Sequence, residues 1–384
     1  MPNPPKVYTK HNSFVEIRQK KPLADGRARL APLLEDLSDM GLPEGRADIV
    51  RLACAEALGR TAAPAMHAPF SLHPNVLEEL SRLTDAELPR YLHYRFRYEV
   101  FPDRKLLDAA PPLLQIEPAS SCNFRCVFCY QTDKPFTKKS NGFMGAMELD
   151  TFKGLIDQAQ GSIEAVTLAS RGEPLLCPDI EKMLAYAAGK FLALKLNTNA
   201  SLLDEKKSHA ILSAGVQTLV FSADAAEEKS YGKLRVGGDL KKVLANVERF
   251  HAIRAKHYPD SRMITRVSGV KVPGSGDLDD MEKFWGGFVD QVAFVNYNPW
   301  ENAYEAPLND VSTPCSDLWR RMFVWWDGGA NPCDVDFKST LSVGSAKEKG
   351  LGALWRSPAY EKLREAHSAK KRSSLSPCSR CTVV

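Results

Sequence analysis

From about Leu113 the chain alternates short apolar runs of β character with longer segments whose apolar residues recur at helical spacing. The runs 113–117, 165–169, 193–197, 218–222, 264–272 and 291–296 predict six strands. Between them, 151–158, 178–188, 205–214, 240–256 and 278–287 predict helices, with Asp150, Asp204 and Asp239 as N-caps for three of these. Strands joined by crossover helices form a parallel sheet, here an α/β fold curved into a barrel or part of one.

The first 110 residues follow a different pattern. Apolar residues at helical spacing mark 30–40, 47–58 and 75–88, broken by Gly41–Pro43 and the Pro64–His67 turn. Pro89 is expected to stop the third helix, and no strand pair is evident. The pattern divides the chain into a helical N-terminal region (1–110), a central α/β barrel (111–300) and a small C-terminal unit (301–384).

Composition adds little beyond an ordinary globular chain. The net charge of +4 over 384 residues does not suggest a nucleic-acid partner, and no apolar run is long enough to span a membrane. The first ten residues lack the apolar core of a signal peptide, so a cytoplasmic protein is expected. In a reducing compartment the nine cysteines read as metal ligands or catalytic groups rather than disulfides.

Seven of the nine fall into two sets. Cys122, Cys126 and Cys129 form a C-x3-C-x2-C triplet in the loop after the first strand. Three thiolates can ligate three irons of a 4Fe–4S cluster and leave the fourth iron open, whereas tetrahedral zinc and two-iron centres want four protein ligands. In β/α folds, ligands gather where this loop lies, at the C-terminal ends of the strands.

The triplet resembles the signature of the radical S-adenosylmethionine (radical SAM) enzymes. That resemblance implies a partial (β/α)6 TIM-like barrel, SAM chelated to the open iron, and a 5′-deoxyadenosyl radical as the reactive species. It also implies cofactor contacts from Phe128 and from the turn Ser170-Arg171-Gly172-Glu173-Pro174, where Arg171 stands in place of the family's first glycine. Asn197 and Asn199 at the end of the third strand, Ser222 at the end of the fourth, and Arg235 match family positions near the ribose or carboxylate of SAM.

Cys315, Cys333, Cys378 and Cys381, spaced x17, x44 and x2, make the second set, which alone fits zinc or an iron–sulfur cluster. Behind a radical SAM core it resembles the Twitch or SPASM extension, which implies one fully ligated auxiliary 4Fe–4S cluster. The spacing is similar to that of radical SAM enzymes that dehydrogenate aminocyclitols.

Dehydrogenation or epimerisation of a small sugar-like substrate is therefore expected, with flavodoxin or ferredoxin as electron donor. Modification of a ribosomal peptide is the second enzymatic reading, and a non-catalytic metal protein the third. Candidate substrate contacts are Asn296, Tyr297, Asn298, Trp300 and Glu301 at the barrel mouth. Candidate catalytic groups are Arg266, Lys271 and Cys177, the last as a hydrogen-atom donor. Cys54, on an amphipathic helix, is assigned to core packing, and the basic stretch Lys370–Arg372 to a solvated turn.

Overall fold

The computed structural model describes residues 16–19, 26–35, 44–272 and 278–384. All six strands form: Leu113–Ile116, Ala165–Leu168, Ala193–Thr198, Thr218–Ser222, Ile264–Lys271 and Gln291–Asn296. They lie parallel and in chain order, as right-handed crossover units require. Five helices return the chain between them: Leu149–Ala159, Ile180–Ala187, Glu205–Ser213, Leu240–His257 and Leu278–Trp285. Asp204 and Asp239 cap their helices by accepting the backbone N–H groups of Lys207 and Lys242. Asp150 does not: that helix starts two residues earlier than expected, Glu148 holds the N-cap position, and Asp150 sits in the first turn.

Side chains alternate across the strands with period two. Leu114, Val166, Leu194, Leu196, Leu219 and Phe221 face the helices and meet Phe152, Met183, Ile211 and Phe250 in the main hydrophobic core. The opposite face carries Gln115, Thr167, Lys195, Asn197, Ser222, Arg266 and Ser268, which line a chamber inside the curve of the sheet. The strands thus have one apolar face and one polar face.

The sheet is larger than the sequence suggested. Arg321–Val324, from the C-terminal unit, pairs parallel with Leu113–Ile116 and leads through Gly329–Asn331 to Gly344–Ser345. All four residues of Leu113–Ile116 are buried, so an uncovered edge there would leave backbone groups without water or partner. At the other edge Glu16–Gln19 pairs antiparallel with the sixth strand, so this N-terminal strand finds its partner in the barrel sheet.

Pro89 does not stop a helix. It lies in the first turn of a 17-residue helix, Leu88–Arg104, where proline's missing N–H costs nothing. The preceding Asp85–Glu87 turn is held by a Thr84/Glu87 capping box. Together with Leu30–Glu35, Glu44–Ala57 and Pro74–Ser81 this helix builds a second core that includes the buried Cys54. That core reaches Leu113 and Ala165, so the N-terminal unit packs beneath the beginnings of the barrel strands. No described helix is long and apolar enough to cross a membrane.

Candidate active site

The Cys122–Cys129 loop leaves the first strand and is tied back by a two-strand ribbon, Arg125–Cys126 against Arg235–Val236. Its three thiols all line the chamber. Hydrogen-bond donors point at two of the sulfurs: Phe124 N and Asn199 Nδ2 approach Cys122 Sγ at 3.4 and 3.9 Å, and Arg235 Nη1 approaches Cys126 Sγ at 3.9 Å. Burial pushes the Cys122 thiol up to about 12 and raises Cys126 and Cys129 as well. Without a cation these groups hold their protons; iron binding displaces them.

The arrangement fits a cluster better than a single ion. Among the described residues no three His, Cys, Asp or Glu side chains converge on one metal position, as mononuclear zinc with ligands at about 2.0–2.3 Å demands. A 4Fe–4S cluster takes one cysteine per iron, so its thiols stand farther apart.

The turn after the second strand is built against this loop. A Cβ on Gly172 would lie 2.4 Å from the carbonyl oxygens of Ala119 and Ser121, so only glycine admits so close an approach. Gly172→Ala should therefore push the cysteine loop away and lower cluster occupancy, measured as iron per chain after reconstitution.

Glu173 is buried and fully engaged. Its carboxylate accepts from Thr198 Oγ1 at 2.6 Å, Asn199 N at 2.7 Å and Leu175 N at 3.1 Å. It therefore staples the turn to the end of the third strand, and burial raises its pKa despite these bonds. Asn199 continues the chain of contacts, donating to Asn123 in the cysteine loop and accepting from Ser201.

Arg171 has a partner that local sequence does not reveal. Its guanidinium meets Glu117 in two parallel bonds of 2.7 and 2.6 Å, and both residues are buried. The same group donates to Phe337 O in the C-terminal unit at 2.9 Å and stacks over Trp325 at 4.2 Å. The glycine-to-arginine departure thus joins the barrel to the unit behind it.

Arg235 is similarly committed, paired with Asp224 at 2.6 Å while its guanidinium lies over Phe128. Asn197 and Ser222 line the chamber, and Asn197 Oδ1 is buried without a hydrogen-bond partner. A ligand donor could satisfy it.

The chamber holds about 410 Å³ and extends from the cysteine loop down to the Leu88–Arg104 helix. Sheet register places Gln115, Thr167, Lys195 and Thr218 side by side on four successive strands. A packed β/α barrel would carry branched apolar residues there. Tyr94, Arg95, Tyr98 and Glu99 of the long helix close the floor, with Arg266 and Arg321 on the walls. Burial and the neighbouring Arg266 and Arg321 push Lys195 down to about 7. Sequence reasoning missed Gln115, Thr167 and Lys195, although a polar residue at a single position inside an apolar strand was the available signal.

In the C-terminal unit, Cys333 and Cys378 each lie within electrostatic reach of Cys315, and Cys378 of Cys381. Arg372 binds their loops together. It is buried, not solvated as expected, and donates to the carbonyls of Thr313, Val383, Cys378 and Cys381. His367 Nδ1 accepts from Cys315 N at 3.1 Å, and burial with Arg372 nearby pushes it down to about 4, so the imidazole stays neutral. Arg372→Met leaves four carbonyls without their donor. It should lose the second cluster's absorbance while the first remains.

Comparison with known proteins agrees with this geometry. Residues 116–263 match the radical SAM superfamily, and residues 315–382 match the SPASM iron–sulfur cluster-binding domain. The chain carries a radical SAM domain followed by a SPASM domain. The SPASM match encloses all four cysteines of the second set.

An AdoMet-dependent heme synthase of Methanosarcina barkeri is 30% identical over 140 residues, 36% of this chain and 39% of that protein. This chain therefore spans about two-fifths of that curated relative. Among solved structures, SuiB of Streptococcus suis bound to precursor peptide SuiA is 14% identical with a TM-score of 0.53, covering 94% of this chain and 87% of SuiB. Native anSMEcpe with bound AdoMet is 15% identical with a TM-score of 0.51, covering 70% and 88%. Both likenesses concern the fold.

Within this radical SAM fold the remaining candidates separate. Arg266 faces the chamber, where Nε donates to Gln291 Oε1 at 2.6 Å, but it sits low on its strand. Lys271 and Cys177 are absent from the chamber wall. Cys177 packs among Met147 and Met183 in the outer core, where it has no path to a substrate radical. Cys177→Ala should leave turnover unchanged within about twofold and cost roughly 1 kcal/mol of stability.

Of the five mouth residues only Trp300 lines the chamber, stacked on Tyr130 with ring centres 6.2 Å apart. Asn296 is exposed, Asn298 accepts from Thr382, and Tyr297 donates to Glu301. Asn298 thus reaches the C-terminal unit, while Tyr297 packs against Phe124, Cys126 and Phe128 of the cysteine loop.

Proposed function

We propose that this enzyme oxidises a small polar substrate held in the barrel chamber, removing hydrogen from a carbon that bears a hydroxyl. The carrying observation is the polar layer Gln115, Thr167, Lys195 and Thr218, which lines one chamber with the thiols of the cysteine loop. Polar groups with no protein partner facing an internal chamber suit a ligand that supplies the missing hydrogen bonds.

With SAM and both clusters bound, the site would supply hydrogen-atom abstraction from an unactivated carbon and a one-electron acceptor, the hydroxyl proton leaving to a base or to solvent. The chain's own residues do the rest. Cys122, Cys126 and Cys129 hold three irons, and Cys315, Cys333, Cys378 and Cys381 hold the second cluster. Gly172, Glu173 and Asn199 fix the turn and strand end beside the thiols. The chamber walls orient one carbon and exclude water. An electron donor such as flavodoxin or ferredoxin completes the cycle.

Anaerobic reconstitution with SAM and a strong reductant tests the first half: 5′-deoxyadenosine should form, and its absence would defeat the proposal. Substrate deuterated at the hydroxyl-bearing carbon should then pass label to 5′-deoxyadenosine. A second reading is oxidation of a peptide side chain. It draws on the likeness to peptide-bound SuiB, which extends over the N-terminal region as well as the barrel. Deuterium transfer from a peptide but from no free sugar or cyclitol would select it.

A further inference from the structure

We propose that the lower part of the chamber is a receptor for an oxyanion on the substrate, a carboxylate or phosphate, with Lys195 as its central donor. This rests on the reading that the chamber holds the substrate.

Lys195 projects from the middle of the third strand, where its neighbours across the sheet are Thr167 and Thr218. Among the described residues it makes no ion pair and no hydrogen bond, yet it lines the chamber. The charged groups around it are Arg266 on the fifth strand, Arg321 on the strand beside the first, and Glu79 on the helix below. His73, Arg95 and Glu99 line the same space. Arg95 and Glu99 are spent on each other, while Arg321 is held by the Tyr98 hydroxyl and by Asp317 at 3.5 Å.

A second donor stands idle nearby. Gln217 Nε2, at the start of the fourth strand, is buried without a hydrogen-bond partner and also lines the chamber. An ammonium and an amide N–H lining one chamber beside guanidinium groups need an acceptor-rich partner. A cationic substrate would be repelled, and a purely apolar one would leave both donors unmet. An oxyanion satisfies them and offsets the repulsion among Lys195, Arg266 and Arg321.

The sign of the pH dependence follows from the lysine. An anion favours its protonated form, so affinity should be highest below about pH 7 and fall as pH rises through that value. Sulfate, whose charge is constant over this range, and acetate are suitable probes of the two anion types.

Isothermal titration of the reconstituted holoenzyme with each probe should show binding that weakens roughly tenfold or more in Lys195→Met and is largely kept in Lys195→Arg. Stronger sulfate binding identifies a phosphate-like group, and stronger acetate binding a carboxylate. The unfolding temperature of K195M should hold or rise, because the change removes a desolvated charge beside two guanidinium groups. Equal affinity in wild type and K195M, or no binding of either anion to wild type, would overturn the proposal. Substrate-free formation of 5′-deoxyadenosine by the wild type reports on the radical reading separately. If wild type forms none, the radical reading fails while the anion titration still decides the receptor.

Discussion

Alanine at Cys122, Cys126 and Cys129 together should reduce SAM cleavage to background, a loss on the order of 10³-fold or more, about 4 kcal/mol in barrier. On that assignment each thiol would hold one iron, so no neighbouring cysteine could substitute. Iron content should fall by about half, because the four C-terminal cysteines lie in a separate unit with its own supports, Arg372 and His367. Electron paramagnetic resonance of the reduced variant should show the auxiliary cluster alone. Surviving 5′-deoxyadenosine production would refute the assignment of the triplet.

Arg171→Gly should be the most destabilising single change outside the cluster ligands. It places glycine where the resemblance of the turn implies one, yet it strands Glu117, which is 0% exposed, without its counter-charge. Removing one partner of a buried pair typically costs about 3–5 kcal/mol. The bond to Phe337 O and the stacking on Trp325 are lost at the same time, so the barrel and the SPASM domain should loosen together. The double variant Glu117→Gln with Arg171→Met should recover much of this, since no uncompensated charge remains. Chemical denaturation of all three proteins measures the coupling. Equal stability of wild type and R171G would exclude the clamp.

Those two expectations differ in where their evidence lies. The cysteine triplet is a local pattern, eight residues long, and spacing alone conveys its chemistry. Arg171 looks like a defect in a local motif. Its meaning depends on Glu117, 54 positions away, and on Phe337, 166 positions away. Arg372 belongs with it: in sequence it is one of three consecutive basic residues, while in space four carbonyls converge on it.

Secondary structure was legible for the same reason. Apolar runs of four to eight residues and helical spacing are local signals, and the caps at Asp204 and Asp239 lie within three residues of their partners. Pro89 misled because a proline has opposite meanings at the end and at the start of a helix. The Thr84 and Glu87 pair just upstream marks a start.

By itself the sequence determined the six-strand parallel frame, the two cysteine sets and the end of the barrel that carries the first of them, because strand period, crossover order and ligand spacing are properties of neighbouring residues. Only the tertiary structure decided that the N-terminal helices close the floor of the barrel and that a strand of the SPASM domain extends its sheet. It also decided that Lys195 sits beside Arg266 and Arg321. Those facts depend on which distant surfaces bury one another, and burial sets the charge and partners of each group.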